Sequence, residues 1–467
     1  MKTALVLALA AAVAADKVSV RLARYLEKKT ESLSTETVLA KFKLDIPALQ
    51  KGAASAANPH QYLYDTLKKT SDENLKALAA IVDVNDVKPL WIAGGFAFPN
   101  ATKATVDKLA AVISVVYLDL NAKDYKKPTV ITNGKASARE ATAKNEWGIE
   151  TIGAPDIWKY YNGTGAVVGS IDTGALYTHE AIKDKWRAEN GWFDPYENST
   201  IPFDTLGRGS HTVGTMVGSH GIGVAPGAKW IAFMLCPTKP DGSNADCTKA
   251  PHVINNSWSS DQVYDPWMQD SVDIWKAAGI IPVFANSNAG PACSTVGNLG
   301  GYTSVIGVGA VGSFDNDPNL LAYFSSKGPE TENGSAYVKP DVSAPGFWIR
   351  SIDIAGNDTY LEDAGTSMAT PHVSGVVALL KSVDPKLSYD QIYHYLTSTM
   401  DQAPLNTTEP TIWTNIGIDR NESAPGGINC GGVKDTAWPN NRFGYGRVKV
   451  GTILRDGKLH DTRRSSC

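Results

Sequence analysis

The sequence predicts an α/β fold: a mostly parallel central sheet with helices on both faces, preceded by a small α+β domain. Three observations carry that prediction. From Trp147 to about residue 385, short apolar runs alternate with Gly-rich turns and helical stretches: AVVGSID, WIAFML, HVINNSW, IIPVFAN and TSVIGVGAV. Runs that are hydrophobic on both faces fit parallel strands covered by helices. Residues 16 to about 120 have another texture, with Lys, Ala and Glu in helical patterns (DENLKALAAIVD, ATVDKLAAV) and two β-rich runs, PLWIAGGFAF and ISVVYLDL. Finally, 467 residues at 43% hydrophobic and 20% charged are enough for two or three domains and a large core.

The segments follow in order. MKTALVLALAAAVAA has a charged start, a short apolar run and small residues at Val13-Ala14-Ala15, so residues 1–15 read as a secretory signal cut after Ala15. Residues 16–140 form the small first domain and end in a polar, Lys-rich stretch, NAKDYKKPTVITNGKASAREATAKN, expected to be an exposed linker. Residues 141–450 hold the main domain, and 451–467 a polar tail. No later run approaches ~18 apolar residues, so no membrane span is expected. The net charge of −4, with no basic run interleaved with aromatics, argues against a nucleic-acid partner. A secreted, extracellular monomer is the expectation.

Cys236, Cys247, Cys293, Cys430 and Cys467 read as disulfide formers in an oxidising compartment. Cys236 and Cys247 enclose the turn-rich PTKPDGSNAD and are the first pairing candidate. The odd count leaves one thiol over, with Cys467 the candidate. Asn-x-Ser/Thr acceptors at Asn100, Asn162, Asn198, Asn333, Asn357, Asn406 and Asn421 suit a secreted chain.

Four stretches could carry chemistry. AGTSMATPHVSG sets Ser367 among small residues before a helical pattern; the hydroxyl is either a cap or a nucleophile. VVGSIDTG ends an apolar strand in Asp172, which could cap a helix or orient an imidazole. GRGSHTVGTMVG sets His211 among glycines, as a structural residue or a proton carrier. IIPVFANSNAGP ends a strand in Asn286 and Asn288, either a turn pair or a source of an oxyanion-hole amide. Val373, Val376, Val377 and Leu380 recur at helical spacing after Ser367 and should pack inward.

In the order Asp, His, Asn, Ser, these stretches resemble the subtilisin-like serine proteases. VINNSW, AYFSSKGP, KPDVSAPG and PNNRFGYGRV are further family-like stretches, and the combination is most similar to the bacillopeptidase F branch. The resemblance implies Ser367 as nucleophile, His211 as general base, Asp172 as its orienter and Asn288 as oxyanion amide. It also implies Ser257, Trp258 and Ser259 in the substrate cleft, and the first domain as a propeptide that inhibits the enzyme in a zymogen. Protein or peptide substrates, an acyl-enzyme, no required cofactor and at most a structural calcium would be implied too. Three departures stand out: Arg208-Gly209-Ser210 where the family has His-Gly-Thr, Ser287 where a glycine precedes the oxyanion Asn, and Ser259 where a glycine follows SW. Two other functions stay open: a catalytically impaired interaction protein marked by Arg208 and Ser287, and an esterase.

Overall fold

The computed structural model describes residues 17–460 apart from 29–36, 122–130, 133–136, 139–143, 195–196, 233–244, 260–264, 316, 333–334 and 415–422. The signal reading of residues 1–15 therefore lies outside the described residues. Two compact units emerge: residues 1–125 with 266–278, and residues 126–265 with 279–467.

The first unit runs α1 (Val20–Lys28), β1 (Val38–Phe42), α2 (Ile46–Ser55), α3 (Pro59–Leu78), β2 (Lys88–Leu90), β3 (Gly95–Phe98), α4 (Lys103–Ala110) and β4 (Val115–Leu120). Its helices start where local chemistry says they should. Asp45 and Asn58 accept the N–H of Ala48 and Gln61, and Thr102 and Thr105 form a reciprocal capping box. The strands pair antiparallel in the order β2-β3-β1-β4, and Leu22, Phe42, Phe96, Val106 and Leu118 fill the core beneath them. This is the expected α+β domain.

In the second unit, Ile131–Thr132 (β5) and Ser137–Ala138 (β6) come from the expected linker, yet their backbones join a sheet described below. Then come α5 (Trp147–Thr151), α6 (Ala154–Trp158), β7 (Val167–Ser170), α7 (Arg208–Val217), β8 (Lys229–Ile231) and β9 (Val253–Asn256). The next helix, α8 (Gln269–Ala277), belongs to the first unit although it lies in the middle of the main region's sequence. Lys41 Nζ contacts Asp270 at 3.0 Å and donates to the carbonyls of Pro266 and Trp267. Lys41 is nearly buried, so these acceptors satisfy a charge that its strand carries out of water.

The chain continues with β10 (Ile281–Ala285), β11 (Ile306–Val311), the small hairpin β12 (Glu330–Glu332) and β13 (Ser335–Tyr337), β14 (Val342–Pro345), the hairpin β15 (Ile349–Ile352) and β16 (Thr359–Ala364), α9 (Thr366–Val383) and α10 (Tyr389–Ser398). Six strands form one parallel sheet in the order β14-β11-β10-β9-β7-β8. The predicted apolar runs are its strands: Val168, Val253, Val283, Val308 and Val342 are fully buried. Strand order reverses between β7 and β9, which is where clefts open at the carboxyl ends of such sheets.

Helix α9 is buried from Thr366 to Lys381, on all faces and not merely on the predicted one. Pro371 sits beyond its first turn and cannot donate to the Ser367 carbonyl. Ser257 Oγ takes over that acceptor at 2.8 Å. Thr132 and Ile131 pair with Asp363 and Ala364, and Ser137 and Ala138 with Tyr360 and Thr359, all antiparallel along β16. Beyond residue 450, Ile453 and Leu454 are buried in the main core, so the polar tail begins only after Leu454.

Candidate active site

Three parallel strands end at one place. Asp172 follows β7, Ser257 follows β9, and Asn288 follows β10; Ser367 is the second residue of α9. Ser367 Oγ donates to the Ser257 carbonyl at 2.9 Å. Ser257 is itself held by Asn255 Nδ2 on its hydroxyl, 3.0 Å, and Asn255 by Ser374, 2.9 Å. Trp258, half-buried, donates to the Ile171 carbonyl at 2.9 Å, and Ser259 is buried.

Arg208, the first residue of α7, reaches this place. Its Nη2 lies 3.0 Å from Asp172 Oδ1, and its Nη1 donates at 2.8 Å to the same Ser257 carbonyl that accepts Ser367 Oγ. The Asp172 side chain is fully buried and Arg208 is 14% exposed. Burial pushes the Asp172 carboxyl up, while Arg208 and the Thr173 N–H pull it down.

The reason for this placement is local. Asp204 accepts the N–H groups of Leu206, Gly207 and Ser210 and the hydroxyls of Thr173 and Ser210, tying the start of α7 to the turn after Asp172. A Cβ on Gly209 would lie 2.1 Å from the Gly174 carbonyl oxygen, so only glycine permits that approach.

The expected general base is corrected by this geometry. His211 lies three residues, about 4.5 Å, further along the helix axis. It is fully buried, its Nε2 is 2.9 Å from the Ile349 carbonyl oxygen, and the Leu361 backbone, Asp363, Asp353 and His372 are among its other polar neighbours. No hydrogen bond joins His211 to Asp172 or Ser367 among the described residues. A base must touch both carboxylate and nucleophile. The group that bridges Asp172 to the Ser367 side is the guanidinium of Arg208. A guanidinium remains protonated in proteins and cannot accept the serine proton.

Asn288 Oδ1 accepts Thr366 N at 2.8 Å and Thr366 Oγ1 at 2.9 Å, which turns the amide's donor end the other way. A Cβ on Gly365 would come within 3.3 Å of Asn288 Nδ2. Asn286, fully buried, donates to the Ser326 carbonyl at 2.9 Å and is structural. Ser287 adopts φ 83°, the left-handed region that the missing glycine would favour. Ser287→Gly should therefore stabilise the fold by about 0.5–1 kcal/mol, read as a higher urea midpoint at unchanged slope; a loss of stability would contradict this account.

Behind Ser367, His372 and Glu146 are both buried, with Nε2 and Oε2 4.0 Å apart. Burial lowers His372 to about 4 and raises Glu146 to about 8, so near neutral pH the contact joins two uncharged groups and is no ion pair. The folded chain keeps the Glu146 proton up to about pH 8, against 4.5 for an ordinary glutamate. The stability from that neutral form is complete below about 4.5 and is lost as pH rises through 8. Glu146→Gln should thus gain on the wild type between pH 5 and 8, by on the order of a few kcal/mol, in paired urea titrations. A pH-independent gap would refute it.

Cys293 and Cys430 form a disulfide across 137 residues of sequence, a pairing not foreseen. Cys247 is disulfide-bonded as well; Cys236 and Cys467 lie outside the described residues. Among the described residues no group of three or more His, Cys, Asp or Glu is placed to hold a metal, and no helix is long and apolar enough to cross a membrane.

The model of the subtilase family matches residues 163–446. Bacillopeptidase F of Bacillus subtilis (strain 168) is 34% identical over 457 residues, 83% of this chain but 31% of that protein. The chain thus spans about a third of that relative's length. Serine protease AprX of the same organism is 27% identical, covering 56% of this chain and 67% of its own, and subtilisin E, also from that strain, is 31% identical, covering 65% and 76%.

Proposed function

This chain belongs to the subtilase family, the subtilisin-like serine peptidases of the hydrolase class, and from that premise we propose a polypeptide-binding member whose turnover at Ser367 is held low. The observation that carries the proposal is the chain of contacts Asp172–Arg208–Ser257 carbonyl–Ser367, with a permanent cation where a proton acceptor is needed. Ser367 is the nucleophile and Asn288 the oxyanion amide of this reading. Ser257, Trp258 and Ser259 line the cleft, and Asp172 serves as counter-ion to Arg208. Oxyanion stabilisation and substrate binding alone still accelerate hydrolysis by roughly 10³–10⁴ over water.

The proposal includes a secreted precursor with residues 1–15 as leader and 16–140 as propeptide. With so slow a site, release of that region would depend on another protease. The reading requires no cofactor and leaves calcium a structural role only. The test is fluorophosphonate labelling of Ser367 and casein hydrolysis by the secreted wild type beside Arg208→His. The wild type should react slowly and the variant fast; a wild type as reactive as the variant would sink the reading.

A further inference from the structure

We propose that Asn406 carries an N-linked glycan in the folded, secreted protein, and that Asn162, in the same kind of Asn-x-Thr triplet, stays bare. The inference rests on the secreted-precursor reading, because the sugar is added in a secretory compartment. In that reaction the carboxamide nitrogen bonds to C1 of an oligosaccharide delivered on a lipid diphosphate. The C1–oxygen bond to the diphosphate breaks, the lipid diphosphate leaves, and the nitrogen gives up one of its two protons. The amide keeps its oxygen. An accessible NH₂ and the hydroxyl two residues on are what the acceptor must offer, and the folded chain must then carry a bulky polar group at its surface.

The fold presents both groups at residues 406–408. Leu405 and Glu409 are buried, and between them Asn406 and Thr408 are exposed with Thr407 half-buried. Leu405 packs with Val311, Leu321 and Phe443, and Asn406 N donates to the Asn319 carbonyl at 2.9 Å, so the backbone is pinned. Asn406 Oδ1 accepts Thr408 N at 2.9 Å, closing an Asx turn through the one amide atom that the sugar leaves untouched. Asn406 Nδ2 and Thr408 Oγ1 have no partner among the described residues, so a glycan there displaces no contact.

The other triplets lack one part or another. Asn162 is half-buried, and its Oδ1 accepts both Thr164 N at 3.1 Å and Thr164 Oγ1 at 2.7 Å. A Cβ on Gly227 would lie 2.2 Å from that oxygen, so the side chain is pressed against backbone. The hydroxyls of Thr102 and Thr359, two residues after Asn100 and Asn357, are bonded to Thr105 and to the Asp353 and Gly356 carbonyls. Asn198 has left-handed backbone, φ 55°, and forms no Asx turn with Thr200 among the described residues. Asn333 and Asn421 lie outside the described residues.

The test expresses the full chain in a eukaryotic cell, once with its own residues 1–15 and once with an established secretory leader in their place. Glycans are removed by N-glycosidase in H₂¹⁸O, which turns each formerly glycosylated Asn into labelled Asp, and peptides from medium and cells are read by mass spectrometry. Asn406 should be labelled at least tenfold more often than Asn162. Asn406→Gln and Thr408→Ala should each lower the intact mass by one glycan, and Thr408→Ser should keep it. A bare Asn406 in exported protein, an Asn162 labelled as often, or label at Asn406 that survives Thr408→Ala would overturn this proposal alone. Export and Asn406 labelling under the substituted leader only would support the proposal and overturn the reading of residues 1–15 as a leader.

Discussion

Arg208→His should raise the rate of Ser367 labelling by a fluorophosphonate, and of casein hydrolysis, by about 10²–10⁴, the usual worth of a positioned general base. On the proposed reading Ser367, Asp172 and Asn288 serve as nucleophile, orienting carboxylate and oxyanion amide, so the variant adds the one group that reading finds missing. Position 208 is right for it: the arginine there touches both Asp172 and the carbonyl that accepts Ser367 Oγ. The supports of α7 do not depend on the arginine, since Asp204, Thr173 and Gly209 fix the helix start through groups of their own. An imidazole at that site would be hydrogen-bonded to a buried carboxylate, which sets its tautomer and stabilises the imidazolium formed as serine attacks.

Two comparisons separate the base from the charge. Arg208→Gln removes the cation without supplying a base and should stay slow; Arg208→His with Ser367→Ala should lose the gain entirely. The histidine variant should also release its first region during secretion, whereas the wild type keeps it unless another protease acts. A folded Arg208→His protein with no gain in either assay would show that the guanidinium does not occupy the base's place.

Why the sequence exposed some of this and hid the rest is a matter of range. The parallel strands were legible because AVVGSID, HVINNSW, IIPVFAN and TSVIGVGAV each carry their apolar residues on both faces, a local signal of burial. The positions of Ser367 at a helix start and Asn288 beyond a strand end were legible because both are set within a few residues. Arg208 was not. Which residue of Arg-Gly-Ser-His faces Asp172 depends on how closely Gly209 approaches Gly174, a contact 35 residues apart that no periodicity encodes. His211 offers the residue type expected of a base, yet it is Arg208, a residue type that cannot accept a proton, that faces Asp172. Asp204, two residues before Leu206 in FDTLGRGS, did offer a hint: an aspartate just ahead of a glycine and a helix is a capping signature. The Cys293–Cys430 bond and the grouping of 266–278 with the first unit are likewise tertiary facts.

Glu409→Ala should destabilise the second unit by about 3–5 kcal/mol, because it strands two buried cations. Lys327 and Arg442 have side chains 1% and 2% exposed, and Glu409 is fully buried between them. Lys327 donates to Glu409 Oε1, which also accepts Trp413 Nε1 at 2.7 Å, and Lys327 reaches the Gly427 carbonyl at 3.2 Å. Arg442 Nη2 lies 2.7 Å from Oε2, a contact more electrostatic than directional, while its Nε and Nη1 find no acceptor among the described residues. Burial pushes the Lys327 ammonium down and Glu409 pulls it back up, so the lysine's charge depends on this carboxylate. Removing the carboxylate leaves the arginine no means of shedding its charge.

The cluster, with the Cys293–Cys430 bond, ties residues 409–442 to 291–327. Its loss should therefore unfold the unit cooperatively, and a lower urea midpoint at unchanged slope is the expected reading. Lys327→Met combined with Glu409→Gln should cost less than Glu409→Ala, since one uncompensated charge goes with its partner. A Glu409→Ala loss below about 1 kcal/mol would mean that the two cations reach water when the carboxylate is gone.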